Sequence, residues 1–426
     1  MSKIDKPLSS QSWQASVRVV EEFLKTDRKL DALFARYTKD VDGKVSRRVQ
    51  YLTYGVVRNL GRLQWCLNST VRNAPKKRLQ AILLVAMFEW SEAGEENQPQ
   101  VVHHAVEQAK RLLSKPETRF VNAVLRKYPT LETGKIEFED SLESMSSFYS
   151  HPLWLVERWI DQFGLQATRS FLEWNQGTPK VYAWSPENES ELPEGWKSTD
   201  WQEFYEIQQA DWETTRTLLS QGKAYIQDPS TRIGPGLLSG IDAKSVLDLC
   251  AAPGGKSIQL QRQLKVTGGL LVSVDVPGKR FNRLKENLSR YRASGVEQLQ
   301  VPKDVRDLDG KDLPHRNFDA VFVDVPCSNT GVLQRRPDVK WRQNLESLAS
   351  LVDLQTALLV KAADFVSVDG SLIYSTCSVE KDENQAVIDN FLNKNDGSFS
   401  IAITESSFPW ESGHDGAFAC LMKRTK

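Results

Sequence analysis

The chain has 426 residues, 55 Lys+Arg balanced by 55 Asp+Glu, and five scattered cysteines (Cys66, Cys250, Cys327, Cys377, Cys420) with no C-x-x-C pair. That length exceeds one ordinary core and implies two or three domains. No apolar run approaches the roughly 20 residues of a membrane helix, the start MSKIDKPLSSQSW lacks a signal-peptide pattern, and neither a disulfide framework nor a metal site is expected, so the reading is a cytoplasmic protein with reduced thiols.

A net charge of zero argues against a nucleic-acid partner, but the distribution does not. Residues 1–128 hold 23 Lys+Arg against 13 Asp+Glu, and the remainder 32 against 42. The basic N-terminal third points to an anionic partner there; a solvated helical surface is the bland alternative. Residues 10–128 read as helical. Leu79, Ile82, Leu83, Ala86, Met87 and Trp90 recur at steps of three and four, as do Val102, Ala105, Val106, Ala109 and Leu113. Pro75 and Pro116 fall at expected helix starts and Gly94 after a helix end, which predicts a compact bundle.

From about 129 to 213 the stretches ETGKIEFEDSLES and SPENESELPEGW suggest a linker into a small mixed α/β region. Beyond about 223, β-prone runs (Ser245–Leu249, Leu270–Asp275, Asp319–Asp324, Ser371–Thr376) alternate with helical patterns (Lys256–Leu264, Lys279–Arg290, Leu345–Phe365). Such alternation predicts an α/β fold with a parallel sheet whose ligands bind beyond the carboxyl ends of its strands.

Each chemical motif sits at such an end. Strand Ser245–Leu249 runs into Cys250-Ala251-Ala252-Pro253-Gly254-Gly255-Lys256-Ser257, whose small residues allow close backbone approach to a ligand. Asp275 closes the next strand, 20 residues beyond Gly255, where a carboxylate can accept hydrogen bonds from ribose hydroxyls. Gly255-Lys256-Ser257 imitates a phosphate-binding loop, but Cys250 stands where that loop needs glycine, and no G-x-G-x-x-G is present. A nucleoside cofactor without a pyrophosphate is consistent with S-adenosylmethionine.

Cys327 (in Asp324-Val325-Pro326-Cys327-Ser328) and Cys377 (in Ser375-Thr376-Cys377-Ser378) each follow an apolar strand. Burial as a small hydrophobe is the default for cysteine and suits Cys66 and Cys420; two cysteines at strand ends fit it poorly. Carbon 5 of cytosine is too weakly nucleophilic to attack a methyl sulfonium unaided, and a thiolate adding to carbon 6 supplies the missing electron density. Asp324 can accept from the exocyclic amine of cytosine, Lys256 can supply positive charge nearby, and the base must be unpaired or flipped out.

LDLCAAPGGK, DVPCSNTGVLQRRPDVKW and IYSTCSVEKDEN together resemble the cofactor, Pro-Cys and Thr-Cys motifs of the Sun (Fmu) family of RNA (cytosine-5)-methyltransferases, and SHPLWLVERWIDQFG, AYIQDPSTR and HDGAFACLMK resemble its flanking segments. HHAVEQAKRL followed by RFVNAVLRK resembles a NusB-type RNA-binding bundle. The resemblance implies a NusB-like all-α domain (1–130), a linker and small α/β subdomain (131–235) and a Rossmann-like class I methyltransferase domain (236–426). It implies Cys377 as nucleophile, Cys327 as the thiol assisting release, and cofactor contacts from Cys250–Lys256, Asp275, Asp304 and Asp324. Small-subunit (16S) ribosomal RNA, before assembly, is the implied substrate of a monomeric enzyme; transfer RNA, or a binding factor with a silent methyltransferase domain, are the alternatives. The chain departs from the family pattern at Val181-Tyr182-Ala183-Trp184, Ala417-Phe418 and Asn329.

Overall fold

The computed structural model describes residues 10–133, 141–186, 192–208, 212–265 and 268–426. They fall into two compact units, one running to Gly177 and including Leu333–Arg342, the other comprising Thr178–Val332 and Gln343–Lys426. Among the described residues, no helix is long and apolar enough to cross a membrane and no cluster of His, Cys, Asp and Glu is arranged to hold a metal ion.

The first unit is helical: α1 (Ser10–Phe23), α2 (Leu30–Thr38), α3 (Gly43–Arg58), α4 (Leu60–Thr70), α5 (Lys77–Glu92), α6 (Gln98–Leu112), α7 (Lys115–Thr133), α8 (Leu142–Phe148), α9 (Leu153–Phe163) and α10 (Leu165–Gln176). Helix α5 is buried on every side from Leu79 to Trp90, as its nearly continuous apolar run requires. Gly55 lets α3 approach it, since a Cβ there would collide with the Phe88 ring at 2.0 Å. The acid within α5, Glu89, is met by Arg48 Nη2 (2.7 Å) and Trp13 Nε1 (3.1 Å), so its burial leaves no charge uncompensated. Residues 134–140 and 187–191, within the two stretches read from composition as a linker, lie outside the described residues; α8–α10 fold between them, ahead of the first strand.

In the second unit β1 (Val181–Trp184), β2 (Trp196–Ser198), β3 (Phe204–Ile207) and β4 (Tyr225–Ile226) form an antiparallel sheet in the order β2-β3-β1-β4, accompanied by α11 (Trp212–Ser220). A short turn, α12 (Ile233–Gly236), leads into the main layer: β5 (Ser245–Leu249), α13 (Gly255–Lys265), β6 (Gly269–Asp275), α14 (Lys279–Arg290), β7 (Val296–Pro302) and β8 (Phe318–Asp324). Between β8 and β9 (Val366–Thr376) lie α15 (Val339–Arg342) and α16 (Leu345–Ala363), and α17 (Gln385–Lys394), β10 (Phe399–Ser407), α18 (Pro409–Ser412) and β11 (Ala417–Arg424) complete the chain. The sheet order is β10-β11-β9-β8-β5-β6-β7.

The sheet has the expected parallel strands at its centre and two antiparallel strands at one side. β5, β6, β7, β8 and β9 pair in parallel, whereas β11 lies antiparallel to β9 and β10 to β11. β7 and β10, not expected from sequence, are the two edges. Their patterns VEQLQVP and FSIAITESS are mostly solvated and so lack the apolar run that marks a central strand. β5 lies between β6 and β8, and the crevice at its carboxyl end is the switch point where α/β sheets bind ligands.

Segment Leu333–Arg342 packs within the helical unit. Arg58 Nη2 donates to Gln334 O (2.7 Å), Lys340 Nζ to Arg58 O (2.9 Å) and Trp341 Nε1 to Val57 O (2.8 Å).

β5 is wholly buried and includes Asp248. Burial, with Asp324 and Asp275 adding repulsion, raises its carboxyl from 3.8 to about 8 against the opposing hydrogen bond from Ser257 Oγ. Between about pH 4 and 8 the folded chain therefore holds a proton that the unfolded chain has lost, so this group's contribution to stability falls as pH rises through that window. Asp248→Asn keeps the shape without the titration. Its melting temperature is expected to gain on the wild type as pH rises from 5 to 8; a difference independent of pH would contradict the assignment.

Candidate active site

The turn after β5 is built for close approach. Cys250 (φ 60°) and Gly254 (φ 104°) adopt left-handed conformations, and a Cβ at Gly254 would also stand 3.0 Å from Leu284 Cδ1. Neighbouring elements hold the turn: Ala252 N donates to Asp275 Oδ2 (2.8 Å), Asn287 Nδ2 to Pro253 O (2.8 Å), and Arg280 Nη2 to Ala252 O. Burial, then the negative charges of Asp275, Asp324, Asp248 and Asp304, pushes the Cys250 thiol upward, so all four acids act on the end of β5.

The acids differ in state. Asp275, closing β6, is raised mainly by burial. Asp304 is lowered by Arg306, whose Nε (3.0 Å) and Nη2 (2.6 Å) engage its two oxygens. Asp324, closing β8, pairs with Lys256 Nζ, which also donates to Ser375 Oγ (3.0 Å). Asp324 and Asp304 are thus each paired with a cation, and the crevice offers carboxylate oxygens around small, close-approach backbone. That environment fits a nucleoside without phosphates and with a positive sulfonium: carboxylates accept from hydroxyl and amino groups and attract the cation.

The Pro-Cys and Thr-Cys loops leave the carboxyl ends of β8 and β9, which pair in parallel with Asp324 opposite Ser375. This register brings Cys327 Sγ within 3.3 Å of Cys377 Sγ. Both are free thiols; Cys327 is buried and Cys377 half-buried. The Cys327 thiol is pushed well up, first by its hydrogen bond with Cys377, then by burial and the Cys377 charge, and keeps its proton. Asn329, one of the family departures, sits at φ 63°. Its Nδ2 donates to Cys327 O (2.7 Å) and its Oδ1 lies 3.4 Å from Cys377 Sγ. Gly331 N donates to Cys377 O (3.1 Å), and a Cβ at Gly331 would meet that oxygen at 2.6 Å.

The structure therefore gathers Cys250–Lys256, Asp275, Asp304, Asp324, Cys327 and Cys377 along one edge of the sheet. It adds a group that sequence reasoning missed. Glu383, buried, accepts from Ser328 N (2.7 Å) and Gln355 Nε2 (2.9 Å), and from the hydroxyls of Ser328 and Ser378. Ser328 follows Cys327 and Ser378 follows Cys377, so one carboxylate ties the two loops together. In KDEN it reads as a solvated charge. The available signal was the run of hydroxyls at 328, 330, 376 and 378, which needs a shared acceptor once buried.

Residues 236–416 match the 16S rRNA methyltransferase RsmB/F family and residues 10–129 the NusB family. The chain is 27% identical to ribosomal RNA small subunit methyltransferase B of Pectobacterium atrosepticum, over 96% of this chain and 97% of that protein. It is also 27% identical to the probable ribosomal RNA small subunit methyltransferase B of Bacillus subtilis, over 88% and 89%. In fold it resembles the crystal structure of PH0851 (TM-score 0.77, 21% identity, 98% of this chain and 100% of that one). It also resembles NSun6 from Pyrococcus horikoshii with SFG (TM-score 0.54, 15% identity, 65% and 98%).

Glu383→Gln should weaken the tie, because an amide cannot accept from every donor the carboxylate serves. A loss of about 1–3 kcal/mol in unfolding free energy is expected, measured by denaturant titration. An unchanged midpoint would show that the loops are held by other contacts.

Proposed function

We propose that this chain, which joins a NusB-family region to an RsmB/F methyltransferase region and takes S-adenosylmethionine as its cofactor, methylates carbon 5 of a cytosine in small-subunit ribosomal RNA through a covalent Cys377 intermediate. The observation that carries the reading is the pair of thiols 3.3 Å apart, one half-exposed, beside the acidic crevice. Residues 1–130 hold the RNA through phosphates, 131–235 connect, and 236–426 catalyse in a cytoplasmic, monomeric enzyme.

The Cys250–Lys256 loop, Asp275, Asp304 and Asp324 hold the cofactor. When bound, it supplies an electrophilic methyl group carried on a sulfonium. Cys377 adds as the thiolate to carbon 6 of an extruded cytosine, forming the carbon–sulfur bond and moving the carbon 5–carbon 6 electron pair toward carbon 5. Asp324 accepts from the exocyclic amine, and Lys256 offsets negative charge developing on the ring. After methylation, a solvent water takes the carbon 5 proton, the carbon–hydrogen pair re-forms the carbon 5–carbon 6 double bond, and the carbon–sulfur bond breaks with its pair returning to sulfur. Cys327, which keeps its proton, donates a hydrogen bond to the departing thiolate and eases release.

With labelled S-adenosylmethionine, the wild type should methylate protein-free small-subunit ribosomal RNA, and Cys377→Ala should reduce this to background. Cys327→Ala should accumulate an enzyme–RNA adduct stable to denaturing electrophoresis. Full activity of Cys377→Ala would overturn the mechanism, and methylation of transfer RNA alone would overturn the substrate.

A further inference from the structure

A cleft of about 530 Å³ lies within the second unit, between β1, the turn ahead of β3, the Arg232–Gly236 segment and α13. Nothing in the chemistry above uses it. Its α13 wall carries Gln259, Arg262 and Gln263, one helix face by their three- and four-residue spacing. Lys256 lies on the same face, one turn nearer the helix start, a rise of about 4.5 Å. The cleft and the Lys256 side of the proposed target-base site thus share the helix α13.

Its chemistry is selective. Arg232 and Arg262 are balanced by Asp200 and Glu203 in the lining, which leaves no net charge to draw a phosphate. Flat surfaces dominate. The Arg262 guanidinium lies 5.6 Å over the Trp184 ring, tethered by Glu203 Oε1 (3.7 Å) and Pro186 O (3.5 Å), with its side chain 30% exposed. The Trp201 ring is braced edge-on by Tyr182 (5.8 Å) and His414 (5.0 Å). Among the described residues, Arg232 Nε is buried without a hydrogen-bond partner, a donor that a ligand would satisfy. Gln259 is fixed in the wall by donating from Nε2 to Thr231 Oγ1 (3.1 Å).

We infer that this cleft binds one unpaired nucleobase of the RNA substrate, from a nucleotide neighbouring the target cytosine, an inference that rests on the function proposed above. A neutral planar base stacks on the Arg262 guanidinium or the Trp201 indole and accepts from Arg232 Nε and the wall carboxamides. Stacking tolerates any base, whereas the fixed polar groups give a preference among bases. Trp184 forms the platform beneath Arg262.

The test uses the full chain and protein-free small-subunit ribosomal RNA. Trp201→Ala and Arg262→Gln should each raise the RNA KM about tenfold, leaving kcat at saturating RNA and the S-adenosylmethionine Kd unchanged. Ultraviolet crosslinking of the wild type should yield a Trp201-containing peptide joined to RNA. An unchanged KM for both variants, or the absence of that crosslink, in an enzyme that methylates RNA would overturn the subsite. If the wild type transfers no methyl group to any RNA, the proposed function falls, and the crosslink alone decides the cleft: its presence supports base binding and its absence rejects it.

Discussion

The parallel pairing of β8 with β9 is the constraint on which the site depends. Side chains beyond two parallel neighbours emerge on the same edge of the sheet, and the register of Asp324 opposite Ser375 sets how far apart the two loops begin. A slip of one residue would turn each cysteine loop to the opposite face. The buried Glu383 carboxylate fixes what the strands leave free, since Ser328 and Ser378 both donate to it. Two thiols separated by 50 residues in sequence come to lie 3.3 Å apart, a separation that neither loop imposes alone.

Electrostatics divides the work along the chain. The first 128 residues carry an excess of ten positive charges and the rest an excess of ten negative. A polyanion is attracted to the first and repelled by the second, so RNA binding and chemistry call for different surfaces. At the end of β5, Asp275, Asp304 and Asp324 supply carboxylate oxygens, while Lys256 and Arg306 pair with Asp324 and Asp304.

Much of this was legible in the sequence because the relevant signals are local. Ser245–Leu249 reads as a strand because it is a short β-prone run, all of it buried in the fold, and the glycines and small residues after it announce a turn of close approach. The cysteines stand out because they follow apolar strands directly. Other features depend on partners far away in sequence. Glu383 reads as a surface acid until the hydroxyls of two separate loops surround it. Leu333–Arg342 reads as a continuation of the Pro-Cys motif, yet Lys340 bonds to Arg58 across 282 residues. The edge strands β7 and β10 escape notice because half-solvated strands share the composition of loops.

The covalent step is tested most directly with small-subunit ribosomal RNA transcribed with 5-fluorocytidine, whose fluorine blocks the loss of a proton from carbon 5. After reaction with S-adenosylmethionine and digestion, mass spectrometry should find the peptide containing Cys377 bonded to a methylated fluoropyrimidine nucleotide. An adduct on any other residue, or none from an enzyme that methylates the unsubstituted RNA, would contradict the account.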